Sequence, residues 1–186
     1  MLSLRAGEPL LVAGPPRSGR TTALATICAA ARGTVSGVRV ASLRPAGRGA
    51  EAVGECCEGD HATDSVADFV DWVTAQVSQG QPVLAVIDDA ERVDEIDSRL
   101  AGLVACRDTA LRLVIAGRAD LLRSTYGHWS APARRTRHGL ALRPNLDTDG
   151  ELWQTPLPRR LRLRGGPGRG VLLADGEIVV VQVAHP

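Results

Sequence analysis

A short glycine-containing segment near the start of the chain has the spacing of a phosphate-binding loop. In LLVAGPPRSGRTTAL, residues 10–24, Gly14, Gly19 and Thr21 occupy their places in the pattern G-x-x-x-x-G-K-[ST]. The glycines of such a loop let successive backbone N–H groups point at a phosphate, and the following helix N-terminus adds its positive end. We therefore predict that nine consecutive residues bind nucleotide phosphates: Gly14, Pro15, Pro16, Arg17, Ser18, Gly19, Arg20, Thr21 and Thr22.

Arg20 stands where the pattern has a lysine. The lysine bridges the β- and γ-phosphates and follows the charge during phosphoryl transfer, so its position counts as catalytic. Arginine keeps the positive charge, but its planar guanidinium is bulkier than an ammonium and would misplace the transferring group. The chain has 22 arginines and no lysine, so Arg20 reflects composition as much as lost activity. We expect phosphate binding to survive and hydrolysis to be weak or absent.

Two adjacent acids follow the most apolar run of the chain, VLAVIDDAE at residues 83–91. A continuous apolar run of this length suits a central parallel strand that is buried on both faces. Its carboxyl end then lies at the sheet edge where open α/β folds bind ligands. There Asp88 and Thr21 would hold Mg²⁺, and Asp89 would polarise the attacking water, although a longer glutamate is more usual. The alternative is that both acids only cap the next turn.

Strand-like and helix-like segments alternate along the chain, which predicts a mostly parallel sheet with helices on both sides. The Asp175-Gly176 pair between two apolar runs indicates a closing C-terminal β-hairpin. The predicted strands are residues 9–13, 38–43, 83–87, 111–116, 139–143, 170–174 and 177–183. The predicted helices are residues 21–32, 66–77 with Asp64 as cap, and roughly 93–106, and residues 45–61 form a glycine-rich loop.

The composition fits one folded domain over residues 1–186. Hydrophobic residues make up 44% and charged residues 23%, and no apolar run approaches the roughly 20 residues of a bilayer span. The four cysteines lack paired metal-ligand spacing, and the four histidines are scattered, so ordinary packing is favoured over a metal site.

The charge is uneven. Residues 112–169 hold twelve arginines against four acids, a balance of +8 within a chain whose net charge is +1. Such a segment could face phosphates or a neighbouring acidic surface, although a solvated arginine-rich face is the more common meaning.

The C-terminal part carries a resemblance to a known family. HGLALRPNLDTDGELWQTPLPRRLRLRGGPGRGVLLADGEIVVVQVAHP combines a strand ending in Arg143-Pro144, the DGELW turn, PGRG and a last strand with Gln182. Together with the loop and the acid pair, it resembles the last ATPase domain of actinobacterial FtsK/SpoIIIE-type proteins. The most similar members are EccC-like ATPases of type VII secretion. The resemblance covers residues 4–184.

The resemblance implies a RecA-like P-loop NTPase fold with ATP and Mg²⁺ at the domain edge, where a neighbouring domain or subunit completes the site. Such domains stand in tandem in a membrane-associated motor that is often hexameric, so the chain is expected to be a cytoplasmic piece of a larger protein. Arg134, Arg135 and Arg137 are candidates for reaching a neighbour's nucleotide, beside the alternative of a solvated loop.

Three functions follow from these observations. The first is a nucleotide-binding domain of a type VII secretion translocase with weak or absent hydrolysis. The second is an interaction module that binds no nucleotide and docks a secretion substrate or regulates the adjacent ATPase domain. The third is part of a double-stranded DNA translocase, which only the +8 segment supports.

Overall fold

The computed structural model describes residues 3–45, 60–95, 97–125, 127–163 and 165–184. The strands are β1 (Leu10–Ala13), β2 (Arg39–Leu43), β3 (His61–Thr63), β4 (Val83–Ile87), β5 (Leu111–Gly117), β6 (Gly139–Leu142), β7 (Arg169–Ala174) and β8 (Glu177–Gln182). The helices are α1 (Arg20–Thr34), α2 (Val66–Ser78), α3 (Arg99–Ala105), α4 (Ala119–Ser124) and α5 (Ala131–Arg134), with 3₁₀ turns at Ala90–Arg92 and Asp149–Trp153.

The described strands form one sheet in the order β3-β2-β4-β5-β1-β6-β7-β8. The first six strands in this order, β3, β2, β4, β5, β1 and β6, run parallel. The last two, β7 and β8, pair antiparallel at one side of the sheet. The predicted mixed α/β fold with a mostly parallel sheet and a C-terminal hairpin is therefore confirmed. Because β1, β2, β4 and β5 are parallel, the loops that follow them meet at one edge of the sheet.

The central strands of the sheet are buried on both faces. In β4 every residue is buried, and its side chains alternate between the two hydrophobic clusters. One face packs against α1, with Leu24 and Cys28 in that cluster, and the other packs against α2 and α3, with Phe69 and Leu100. This arrangement explains why VLAVI has no polar position.

The closing hairpin forms as the sequence predicts. β7 pairs with β8 from Arg169 opposite Gln182 to Ala174 opposite Glu177, which leaves Asp175 and Gly176 as the two turn residues. Both have positive φ, 56° and 78°, and a two-residue hairpin turn whose central residues both have positive φ suits the twist of the strands.

The predicted strand bounds, and those of the first two helices, differ from the structure by at most two residues. The predicted helix over 93–106 is wrong in its first half, because α3 begins only at Arg99. Asp97 and Ser98 have left-handed backbone angles, φ 58° and 55°, which no α-helix contains. Glu95 lies before the helix, and its carboxylate accepts the Ala101 N–H at 2.6 Å.

Two further features differ from the sequence predictions. The N-cap of α2 is Ser65, not Asp64, because the Ser65 hydroxyl accepts the Asp68 N–H at 3.3 Å. The short strand β3 was not predicted, since its three residues are mixed in polarity and none is buried. It begins at His61, the last residue of the predicted glycine-rich loop, whose residues 46–59 lie outside the described residues.

Within the described ranges, no helix combines the length and the apolar composition that a bilayer crossing would need.

Candidate nucleotide site

The glycines of the loop between β1 and α1 are fixed by close contacts. A Cβ on Gly14 would lie 2.6 Å from both the Leu142 carbonyl oxygen and the Ser18 hydroxyl. Gly19 has φ +97°, and a Cβ there would lie 2.8 Å from the Gly168 nitrogen. The backbone can therefore follow this path only with glycine at both positions.

The loop borders an open pocket of about 310 Å³ at the N-terminus of α1. Seven of the nine predicted binding residues line it: Pro15, Arg17, Ser18, Gly19, Arg20, Thr21 and Thr22. Gly14 is buried below the loop, and Pro16 is exposed. The α1 N-terminus carries no side-chain cap and no acid in its first turn, so its positive end is open to an anion.

Arg20 lies across the loop. One guanidinium nitrogen donates to the Gly14 carbonyl oxygen at 2.6 Å, and the other lies 3.0 Å from Asp89 Oδ1. The exposed fractions of the two side chains are 12% and 29%, so this ion pair is partly shielded from water. Asp89, the second residue after β4, adopts a left-handed backbone with φ 46°. The structure thus brings the two predicted catalytic residues together, and Arg20 holds Asp89.

The two predicted metal ligands also meet. The Thr21 hydroxyl donates to Asp88 Oδ2 at 3.2 Å, and Asp88 Oδ1 accepts the N–H of Asp89 at 2.9 Å. A third side chain, Arg44, donates to the same Asp88 Oδ2 at 3.0 Å. Asp88 is buried, with a side-chain exposure of 5%.

Sequence inspection missed Arg44. It follows β2 directly, and in the parallel pairing of β2 with β4, Leu43 is level with Ile87. Arg44 and Asp88 therefore leave the sheet side by side. The sequence did contain a signal, because Arg44 is a charged residue directly after another strand of the predicted parallel sheet.

The C-terminal part covers the loop, which sequence inspection also missed. The Gly168 N–H donates to the Ser18 carbonyl oxygen at 2.7 Å, and Pro167 lines the pocket. Gln182 of β8 donates to the Pro167 carbonyl oxygen at 3.2 Å. Pro167 of the PGRG segment thus forms part of one wall of the site, and Gln182 holds its carbonyl group.

Glu91, the third acid after β4, has a structural role. Its carboxylate accepts the Arg118 N–H at 3.0 Å and contacts Gly117, where a Cβ would lie 2.7 Å away. The guanidinium of Arg118 hydrogen-bonds Asp120 and lowers the pKa of that carboxyl.

The three arginines suggested for a neighbour's nucleotide lie far from this loop. They precede β6, close to Pro9, whose carbonyl oxygen accepts the Thr136 hydroxyl at 3.2 Å. Pro9 precedes β1, so this is the edge of the sheet opposite the loop. Arg135 and Arg137 are exposed, whereas burial lowers the pKa of Arg134.

Part of the positive charge of residues 112–169 is neutralised by local ion pairs. Arg118 pairs with Asp120, Arg123 with Asp149, and Arg159 with Asp147.

In the described part of the chain, no group of three or more acids, histidines or cysteines lies close enough to hold a metal ion. Two of the described histidines pack against neighbouring residues. The rings of His61 and Trp72 stack with centroids 5.2 Å apart, and His138 is buried.

The Asp88 and Thr21 oxygens have the chemistry that Mg²⁺ prefers, but their surroundings do not fit the ion. Asp88 Oδ2 already accepts from Arg44 and Thr21, and Asp89 is paired with Arg20. Two guanidinium groups therefore compensate the two carboxylates that a divalent cation would need.

Comparison with protein-family models finds no matching family, and comparison with curated protein sequences finds no similar protein. The fold itself has clear counterparts among solved structures. EssC (ATPases 2 and 3) from Geobacillus thermodenitrificans superposes with a TM-score of 0.73 at 18% identity, over 95% of this chain and 37% of that one. Thermomonospora curvata EccC (ATPases 2 and 3), in complex with a signal sequence peptide, gives 0.72 at 20% identity, over 96% and 37%.

A viral protein is also similar. The genome packaging NTPase B204 from Sulfolobus turreted icosahedral virus 2, in complex with ATP-gammaS, gives a TM-score of 0.58 at 9% identity, over 95% of this chain and 98% of that one. The chain thus has the fold of P-loop NTPases and is structurally similar to the ATPase domains of EccC and EssC. It spans little more than a third of those EccC and EssC chains. At such identities the likeness establishes the fold alone.

Proposed function

We propose that this chain is a nucleotide-binding domain of an FtsK/SpoIIIE-type translocase of the EccC class, with weak or absent ATP hydrolysis. The observation that carries the proposal is the loop itself. Gly14 and Gly19 are held where only glycine fits, and the loop borders an open pocket at the uncapped N-terminus of α1. This pocket offers backbone N–H donors and the Arg20 guanidinium to a phosphate chain.

Weak hydrolysis is proposed from the contacts of the two catalytic candidates. Arg20 donates to Gly14 and Asp89 rather than standing free to follow a transferring phosphoryl group. Asp89 has a shorter side chain than glutamate, and its charge is held by Arg20, so it is a poor group for polarising water.

The proposed setting is type VII protein secretion, as one ATPase domain among several in a parent chain and, in the active assembly, a hexamer. The EssC and EccC structures with this fold each contain more than one ATPase, and one of them holds a signal sequence peptide, which supports the proposal. DNA translocation has weaker support, because among the described arginines of residues 112–169, Arg118, Arg123 and Arg159 are already paired with acids.

Calorimetric titration of the 186-residue chain with ATP tests the proposal. Wild-type protein is expected to bind with a micromolar Kd, and Arg20→Ala to weaken binding by about tenfold, because a charge-assisted contact to phosphate is lost. Arg32→Ala is the matched control, since Arg32 lies in the last turn of the same helix, about 18 Å along its axis. Absence of binding at millimolar ATP, or equal losses in both variants, would contradict the proposal.

One observation favours the interaction module as a second candidate. An apolar groove of about 480 Å³ runs between α1 and β8, lined in part by Ile27, Leu140 and Val181. Val179 of β8 also lines it and is 48% exposed. If the chain keeps its fold but does not bind ATP, this groove becomes the candidate site for a protein ligand.

A further inference from the structure

Arg44 lies against Asp88, the carboxylate that would hold a metal ion. It leaves β2 beside the end of β4, and its guanidinium lies 3.0 Å from Asp88 Oδ2. The exposed fractions of the two side chains are 18% and 5%, so this ion pair is the more buried of the two at the site.

Each carboxylate oxygen of Asp88 already accepts a hydrogen bond. Oδ1 accepts the Asp89 N–H, and Oδ2 accepts both the Thr21 hydroxyl and Arg44. A divalent cation at Asp88 would have to displace the guanidinium or lie directly against it. Like charges at such a distance repel strongly where water is partly excluded.

The charges of the two ion pairs also argue against a divalent cation at Asp88. Asp88 and Asp89 supply two negative charges, and Arg44 and Arg20 supply two positive charges. In an ATPase site Mg²⁺ neutralises the phosphates and is held by such an acid. Here each of the two acids already has a guanidinium beside it, and a guanidinium is always charged.

We infer that Arg44 takes the place of the metal ion at Asp88, so that this site binds the free nucleoside triphosphate anion with an affinity that does not depend on Mg²⁺. This inference rests on the proposed nucleotide binding and adds the ionic form of the ligand.

Titration of the 186-residue chain with ATP, in excess Mg²⁺ and in EDTA at matched ionic strength, tests the inference. The wild-type Kd is expected to agree between the two conditions within about twofold. In Arg44→Ala, Asp88 has lost its cation, and Mg²⁺ is expected to tighten ATP binding by about tenfold relative to EDTA. Arg39→Ala is the control: Arg39 lies at the other end of β2, pairs with Asp60, and its loss changes the net charge equally.

The outcomes separate the two proposals. Wild-type binding that weakens by more than about twofold in EDTA would overturn this inference and leave nucleotide binding intact. If the ATP Kd is the same in Mg²⁺ and in EDTA for both the wild type and Arg44→Ala, the role of Arg44 is overturned. Failure of both proteins to bind ATP in either condition would contradict the proposed function itself. The wild-type comparison needs no variant, so it stands even if Arg44→Ala does not fold.

Discussion

Asp89 competes with phosphate for Arg20. The guanidinium lies 3.0 Å from Asp89 Oδ1, and an incoming phosphate must break or share that contact. We predict that Asp89→Asn tightens ATP binding by up to about fivefold, because a partly exposed ion pair is worth up to about 1 kcal/mol. Competition with a fluorescent ATP analogue measures the change.

Asp94→Asn is a suitable control for this change. Asp94 is exposed and lies five residues further along the chain, so its substitution removes the same charge without touching Arg20. Weaker binding by Asp89→Asn, with Asp94→Asn unchanged, would show that Asp89 supports the nucleotide instead of opposing it.

The site was predictable where its residues are neighbours in sequence. The loop and the acid pair can be found by their spacing alone, and the structure places Thr21 beside Asp88 and Arg20 beside Asp89. Arg44 was not predictable in this way, because its contact with Asp88 depends on the register of β2 against β4. The Gly168 contact with Ser18 spans 150 positions, and no local pattern encodes it.

At the scale of elements, β6 can pass under Trp153 only because it begins with glycine. A Cβ on Gly139 would lie 1.9 Å from Trp153 Nε1 and 2.3 Å from Cε2, and Trp153 is fully buried. We predict that Gly139→Ala lowers the free energy of unfolding by about 1–3 kcal/mol, as overpacking in cores does. Urea unfolding followed by tryptophan fluorescence measures it.

Gly102→Ala provides the contrast. Gly102 lies inside α3 with nothing near its missing Cβ, so alanine there is expected to stabilise the chain by about 0.5–1 kcal/mol. Replacing Trp153 by phenylalanine in the Gly139→Ala background is expected to restore part of the loss. Equal stabilities for Gly139→Ala and wild type would mean that the indole can move aside without cost.

The elements that the sequence predicted well are those whose pattern is local. β4 is apolar at every position, and the hairpin has its Asp-Gly turn. The first half of the helix expected over 93–106 failed because Ser98 has a left-handed backbone and Glu95 caps α3 from outside it. β3 was missed because a short edge strand is held by backbone pairing with β2, which side-chain polarity does not reveal.

At the scale of the whole molecule, two histidines make stability depend on pH. Burial lowers the pKa of both His128 and His138, so each is preferentially neutral in the folded chain. For His138, Arg5 lowers the pKa further, while Glu8 and Asp175 oppose that effect. The nitrogen Nδ1 of His128 accepts the Ser130 N–H, a contact that protonation of this nitrogen would abolish.

The sign of the dependence follows from proton uptake. Below the ordinary histidine pKa of about 6.5 the unfolded chain binds protons that the folded chain refuses, so stability falls with a slope of at most about 1.4 kcal/mol per pH unit for each group. Carboxyls with lowered pKa, such as those of Asp60 and Asp120, weaken the fold only in more acidic solution, since their unfolded pKa is about 3.9.

We therefore predict that the free energy of unfolding decreases between about pH 7 and pH 5, and that His138→Gln removes part of that decrease. A group that cannot titrate contributes no proton uptake, so the double variant with His128→Gln should have a nearly flat profile over this range. Urea unfolding at closely spaced pH values measures the slopes. A wild-type profile that is flat from pH 7 to pH 5, or a double variant as steep as wild type, would show that other groups control the acid response.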